Sequence, residues 1–193
     1  MSRRESFAER RERRAAIDDP NIVLEAAARF LEARSRSVEE VRRRLTGAGY
    51  RADLVEGAIE RMTELGMLDD DGFARAWVES RDRARPRGER AIREELRLKG
   101  VDRTVIDDVL TDRREAAQES RTDDDGPAPT PDRLAAERLL ARNARTLARV
   151  LDPRQRRQRA YALLARHGFD PETCREVAAG ADDPTTAPPD DLD

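Results

Sequence analysis

The chain has 193 residues, of which 41% are charged and only 4% aromatic, and its formal net charge is −3. So few large apolar side chains favour a short array of small units over one deep core. The near-balanced charge argues against a generic nucleic-acid coat protein. A single cysteine, Cys174, rules out an intrachain disulfide and supplies too few thiolates for a metal site.

Residues 1–20 are Arg-rich. Phe7, Ala8 and Ile17 make no sustained apolar stripe, so the segment reads as either a solvated helix or a disordered arm, and a charged, disordered N-terminal arm is expected. No run approaches a membrane span or the apolar segment of a signal peptide, and a cytoplasmic location is expected. Residues 21–68 then read as a first three-helix repeat. Its stripes are Leu24, Ala27, Ala28 and Leu31; Val38, Val41 and Leu45; and Leu54, Val55, Ala58, Ile59 and Met62. Ser37 and Glu40 have capping-box spacing and start its second helix. Gly49-Tyr50 and Gly66-Met67 each read as a glycine stop followed by an apolar residue.

Residues 69–117 form a second repeat with apolar positions Phe73, Ala76 and Trp77, then Ile92, Leu96 and Leu98, then Val105, Ile106, Val109 and Leu110. Pro86 and Gly88 break its first helix from its second, Pro86 suiting the first turn of the helix that follows; Gly100-Val101-Asp102 breaks the second from the third. The two repeats superpose in sequence. Leu45, Gly49, Tyr50, Val55 and Ile59 fall on Leu96, Gly100, Val101, Ile106 and Leu110 at a constant shift.

An acidic, Pro-rich linker is assigned to 118–130 and a third repeat to 131–180, where Leu164, Gly168, Phe169, Cys174 and Val177 continue the register. Cys174 stands where the other copies carry Val or Ile, which reads as a buried filler rather than a reactive thiol. Thr130-Pro131, Asp152-Pro153 and Asp170-Pro171 each place a capping side chain before a proline and mark three helix starts. The acidic residues of 181–193 are expected to be a disordered tail. The fold expected is all-α: three tandem three-helix repeats forming an elongated, curved array with disordered tails.

At this point the residues resemble a known family. The RSRSVEEVRRRL and following glycine of the first copy, the GMLDDDGFARAWVESR joint, the GERAIREELRLKGV of the second copy and the RHGF of the third together resemble the bacterial regulatory protein family RecX. The resemblance runs through about residues 22 to 180, in order and in all three copies. It implies a non-enzymatic regulator that binds the RecA recombinase on single-stranded DNA. Such a regulator modulates, mainly by inhibition, the assembly of the filament and its recombinase, ATPase and coprotease activities, and so DNA repair, recombination and the SOS response.

The residues themselves offer no catalytic constellation. There is no phosphate-binding glycine loop, and the sole histidine, His167, reads as a helix-end cation. No cofactor, metal or small-molecule substrate is expected, and the chain is expected to be a monomer. Asp69-Asp70-Asp71 lacks the ligand spacing of a calcium loop and fits a helix N-terminus better.

Arginine carries the polarity. Of 38 Lys and Arg residues only Lys99 is a lysine. Residues 81–99 hold eight basic against four acidic side chains, residues 133–166 ten against two, while residues 170–193 hold eight acids and one arginine. The candidate partner or DNA-binding residues are therefore Arg81, Arg87, Arg90, Arg93, Arg97 and Lys99 in the second copy, and Arg154, Arg156, Arg157 and Arg159 in the third. Two other readings stay open: solvated helix faces laced by pairs such as Glu89 with Arg93, and direct nucleic-acid binding without a recombinase partner.

Overall fold

The computed structural model describes residues 6–119 and 129–180. All regular structure among them is helical: α1 (Phe7–Ala15), α2 (Pro20–Glu32), α3 (Val38–Ala48), α4 (Ala52–Glu64), α5 (Asp70–Ala84), α6 (Glu89–Leu98), α7 (Arg103–Glu119), α8 (Pro131–Ala148), α9 (Pro153–Arg166) and α10 (Pro171–Ala179). Helices α2–α4, α5–α7 and α8–α10 are the three repeats. The 120–128 part of the linker and the 181–193 tail lie outside the described residues.

The chain divides into two compact units, one of residues 1–75 with 96–105 and the other of residues 76–95 with 106–193. In the first, Val23 and Ala27 of α2, Val41 and Leu45 of α3, and Val55, Ala58, Ile59 and Met62 of α4 build a core closed by Leu68. In the second, Ala135, Ala136, Leu139, Leu140 and Leu147 of α8 meet Ala160 and Leu164 of α9, with Phe169 and Cys174, Val177 and Ala178 of α10. Small residues dominate this second core, which matches the scarcity of aromatics. Cys174 is fully buried there, and burial pushes its thiol above the usual range.

The helix starts follow the sequence signals. Ser37 Oγ accepts the Glu40 N–H while Glu40 reaches back, which is the capping box expected. Thr130, Asp152 and Asp170 cap α8, α9 and α10, each ahead of a proline in the first turn. His167 caps the end of α9, its Nδ1–H donating to the Leu163 carbonyl at 2.8 Å.

Five expectations are corrected. Residues 7–15 of the supposed arm are helical, because Ser6 and Glu9 form a capping box and the helix has something to rest on. Arg14 donates to the Ala48 carbonyl and its guanidinium lies over the Tyr50 ring. The buried stripe of α5 is Phe73, Ala74 and Val78, while Ala76 is exposed and Trp77 only half-buried. Leu98 is 61% exposed, since α6 ends there and the chain turns through Gly100 to bury Val101 instead. Beyond Gly66 it is Leu68, not Met67, that folds back into the core. Finally, α6 begins only at Glu89, so Pro86 is a buried residue of the connection rather than part of a first turn.

The repeats adhere through one recurring device. The glycine ending each second helix packs on an earlier element: Gly49 against Arg11 of α1, Gly100 against Glu39 at the start of α3, and Gly168 against Ala91 at the start of α6. Each has positive φ, and a side chain at any of them would overlap the neighbour. The adjacent carbonyls are used too. Lys99 O accepts from Ser37 Oγ at 2.6 Å, and His167 O accepts from Gly88 N at 3.1 Å. A carboxylate from the next repeat's first helix completes the joint: Asp70 accepts the Val38 N–H at 2.9 Å, and Asp132 accepts the Glu89 N–H at 2.9 Å. Both N–H groups belong to the first helical residue, so an aspartate from the next repeat satisfies a donor that the helix itself leaves open.

Candidate interaction surface

The basic residues singled out from sequence divide by what they touch. Arg81, with its side chain 14% exposed, donates to Glu95 at 2.6 Å and lies over the Trp77 ring at 4.2 Å. Trp77 Nε1–H donates to that same carboxylate at 2.8 Å, and Arg87 approaches its other oxygen at 3.6 Å. Glu95 thus gathers an indole and two guanidinium groups. Arg93 pairs with Asp107 and, one turn along α6, with Glu89 at 3.3 Å, the pair expected from spacing. Asp107 holds the Arg93 guanidinium more firmly in its charged form. Lys99 donates to Glu40 at 2.8 Å. Burial works against the charged form of Glu40, but Lys99 and Arg34 outweigh it and hold the carboxyl below its ordinary value.

Arg81, Arg87, Arg93 and Lys99 are therefore engaged within the protein. Arg90 is exposed and has no partner among the described residues; Arg97 is exposed on the same helix. In the third repeat Arg156 donates to the Val150 carbonyl at 3.1 Å, closing the loop before α9. The Arg154 and Arg159 side chains are exposed and without a partner among the described residues, and Arg157 is exposed beside them. The internally paired set thus lies mainly in the second repeat and the open set mainly in the third.

The third repeat also carries a feature absent from the candidate list. A shallow groove of about 340 Å³ runs between α9 and α10, lined by Arg154, Arg157, Gln158, Tyr161, Arg175 and Ala178. In the repeat register Tyr161 and Arg175 stand where the first repeat has Arg42 and Glu56 and the second has Arg93 and Asp107. Arg42 binds Glu56 with two nitrogens at 2.7 and 2.9 Å, and Arg93 binds Asp107, so in both repeats an ion pair spans the second and third helices at this level. Tyr161 and Arg175 cannot form one. Charge counting missed Arg175 because it lies in an acidic stretch; the register that aligned the copies carried the signal.

Three tandem three-helix units held by helix-end glycines, with exposed guanidinium groups on the second and third, define a helical-repeat protein. Residues 24–62 match the first three-helix domain of RecX, residues 69–110 the second and residues 135–178 the third. Regulatory protein RecX of Mycolicibacterium smegmatis is 33% identical over 151 residues, 78% of this chain and 74% of that protein. That of Mycobacterium sp. strain JLS is 33% identical over 162 residues, 82% of each. The crystal structure of RecX from Lactobacillus salivarius shares the fold with a TM-score of 0.68 at 18% identity, over 86% of this chain and 97% of that one. A second RecX crystal structure gives a TM-score of 0.67 at 19% identity, covering 83% and 73%. The chain belongs to the RecX family, regulatory proteins that modulate RecA.

Proposed function

We propose that this protein binds the RecA filament on single-stranded DNA and restrains its assembly and its recombinase, ATPase and coprotease activities, thereby tempering DNA repair and the SOS response. The observation that carries this reading is the ordered presence of all three RecX domains across residues 24–178. The protein acts without a cofactor, in the cytoplasm and as a monomer. No described helix is long and apolar enough to cross a membrane. Arg90, Arg154 and Arg159 are the foremost contacts to acidic protein surface or to phosphate, because no carboxylate among the described residues neutralises them. Arg81, Arg87, Arg93 and Lys99 act instead by holding the repeats in shape.

The test is ATP hydrolysis by the cognate recombinase on single-stranded DNA, with this protein titrated in and DNA in excess so that competition for the strand is removed. Turnover is expected to fall in a saturable way. The triple substitution of Arg90, Arg154 and Arg159 by Ala is expected to shift the half-maximal concentration upward at least about tenfold, whereas substituting the exposed, carboxylate-paired Arg29 is expected to leave it in place. Unchanged turnover at every ratio would overturn the reading.

A further inference from the structure

Within each of the first two repeats an arginine of the second helix and a carboxylate of the third helix bridge the two helices, through Arg42 and Glu56 and through Arg93 and Asp107. The third repeat breaks this pattern at both ends: the arginine has become Tyr161 and the carboxylate has become Arg175. Losing one partner would leave an unpaired charge; exchanging both changes what the groove can hold. Between α9 and α10 there is now an open cleft with an aromatic ring, 36% exposed, and guanidinium groups around it.

Arg154, Arg157, Gln158 and Tyr161 fall at the helical spacings that bring them to one face of α9, and Arg175 meets them from α10. Arg175 uses its Nε–H on the Pro171 carbonyl at 2.9 Å, which fixes the guanidinium while its terminal nitrogens have no partner among the described residues. Arg154 has no side-chain partner among them either. A ring flanked by forked donors matches a ligand that alternates flat π faces with anionic oxygens. A peptide of acidic residues would satisfy the cations but would give the ring nothing to stack on.

We propose that the α9–α10 groove is a single-strand nucleic-acid subsite, in which one base stacks on Tyr161 and the flanking phosphates are held by Arg154, Arg157 and Arg175. The site belongs to this chain alone and is tested without the recombinase, so its failure leaves the filament reading standing and the reverse also holds. Stacking makes it tolerant of sequence, and its phosphate contacts make it sensitive to salt.

The experiment is fluorescence anisotropy of a labelled oligothymidylate against the full-length protein, repeated with an abasic strand of equal length. Tyr161→Ala is expected to weaken binding to the base-bearing strand by roughly 5- to 100-fold, and Tyr161→Phe, which keeps the ring, to remain within about twofold of the parent. The abasic strand is expected to bind the parent and Tyr161→Ala alike. The double change Tyr161→Arg with Arg175→Glu installs the ion pair of the other repeats. It is expected to abolish the preference for the base-bearing strand while leaving the thermal midpoint at or above that of the parent. A second readout needs no variant: photocrosslinking of a 5-iodouridine strand to the unaltered protein is expected to label the peptide containing Tyr161. Equal binding of both strands by the parent, or crosslinks only elsewhere, would overturn the proposal. Displacement of the strand by polyglutamate at matched charge concentration would instead mark the groove as a site for acidic protein.

Discussion

Arg113 is a deeply held charge. Its side chain is 6% exposed, yet it sits in α7 with two carboxylates from two other helices. Nε and Nη2 bind Asp82 of α5 at 2.9 and 2.7 Å, and Nη1 binds Asp132 of α8 at 2.7 Å. Asp132 in turn receives the Glu89 N–H at the start of α6. One guanidinium thus ties three helices of the second repeat to the first helix of the third. Removing one member of a buried pair costs about 3–5 kcal/mol, because the remaining charge stays buried without its partner. Here Asp82 is partly solvated and Asp132 keeps a backbone donor, so Arg113→Met is expected to cost about 2–4 kcal/mol near pH 7.

The sign of the pH dependence follows from Asp132, whose carboxyl burial pushes above its ordinary value even beside Arg113. A carboxyl raised in the folded state favours folding once protonated, and that contribution fades as pH climbs through the raised value. Without Arg113 the carboxyl rises further, so the loss in Arg113→Met should shrink as pH falls toward the ordinary carboxylate range. Adding Asp132→Asn should recover part of the loss near pH 7. Urea unfolding followed by circular dichroism measures all three. A loss below about 0.5 kcal/mol, the size expected of an exposed pair such as Arg29 with Glu25, would refute the reasoning, as would a loss that grows on acidification.

The remaining predictions concern backbone fit and the thiol. Gly168→Ala places a methyl 2.7 Å from the Ala91 nitrogen in a residue at φ +82°, and is expected to destabilise by at least about 2 kcal/mol in the same urea assay. Gly57→Ala, inside α4 with nothing near, is expected to stabilise by about 0.5–1 kcal/mol. Cys174 should resist a thiol-specific reagent in buffer and react fully in denaturant, because burial both shields the thiol and disfavours the thiolate. Fast labelling of the native protein would contradict its place in the core.

Much of the fold could be read in advance because its signals are local. A capping side chain followed by proline marks α8, α9 and α10 by chemistry confined to two residues, and glycine stops mark α3, α6 and α9 in the same way. What misled was anything decided by tertiary contact. Helix α1 has no buried residue of its own and owes its packing to Ala48, Gly49 and Tyr50, distant in sequence. On α5 both Phe73 with Ala76 and Trp77, and Ala74 with Val78, satisfy helical spacing. Trp77 lies at the margin because its indole N–H needs Glu95, which only the fold supplies. The arginines were hardest, since a guanidinium bound to Glu95 and one open to solvent are the same letter.

The repeat register explains both the adhesion of the chain and its asymmetry. Val38 and Glu89 each open a second helix and each offer a free N–H to an aspartate of the following repeat. In the third repeat the equivalent residue is Arg157, and α9 begins a full turn earlier at Pro153, so the Arg157 N–H lies inside the helix and is no longer available. In that first turn Pro153 has no N–H and the Arg154 N–H is taken by Asp152 at 2.8 Å. The added turn carries Arg154 and Arg156, and the groove holding Arg154 and Tyr161 opens on the same helix. Where the third repeat departs from the register of the other two, its exposed side chains are guanidinium groups and a tyrosine ring.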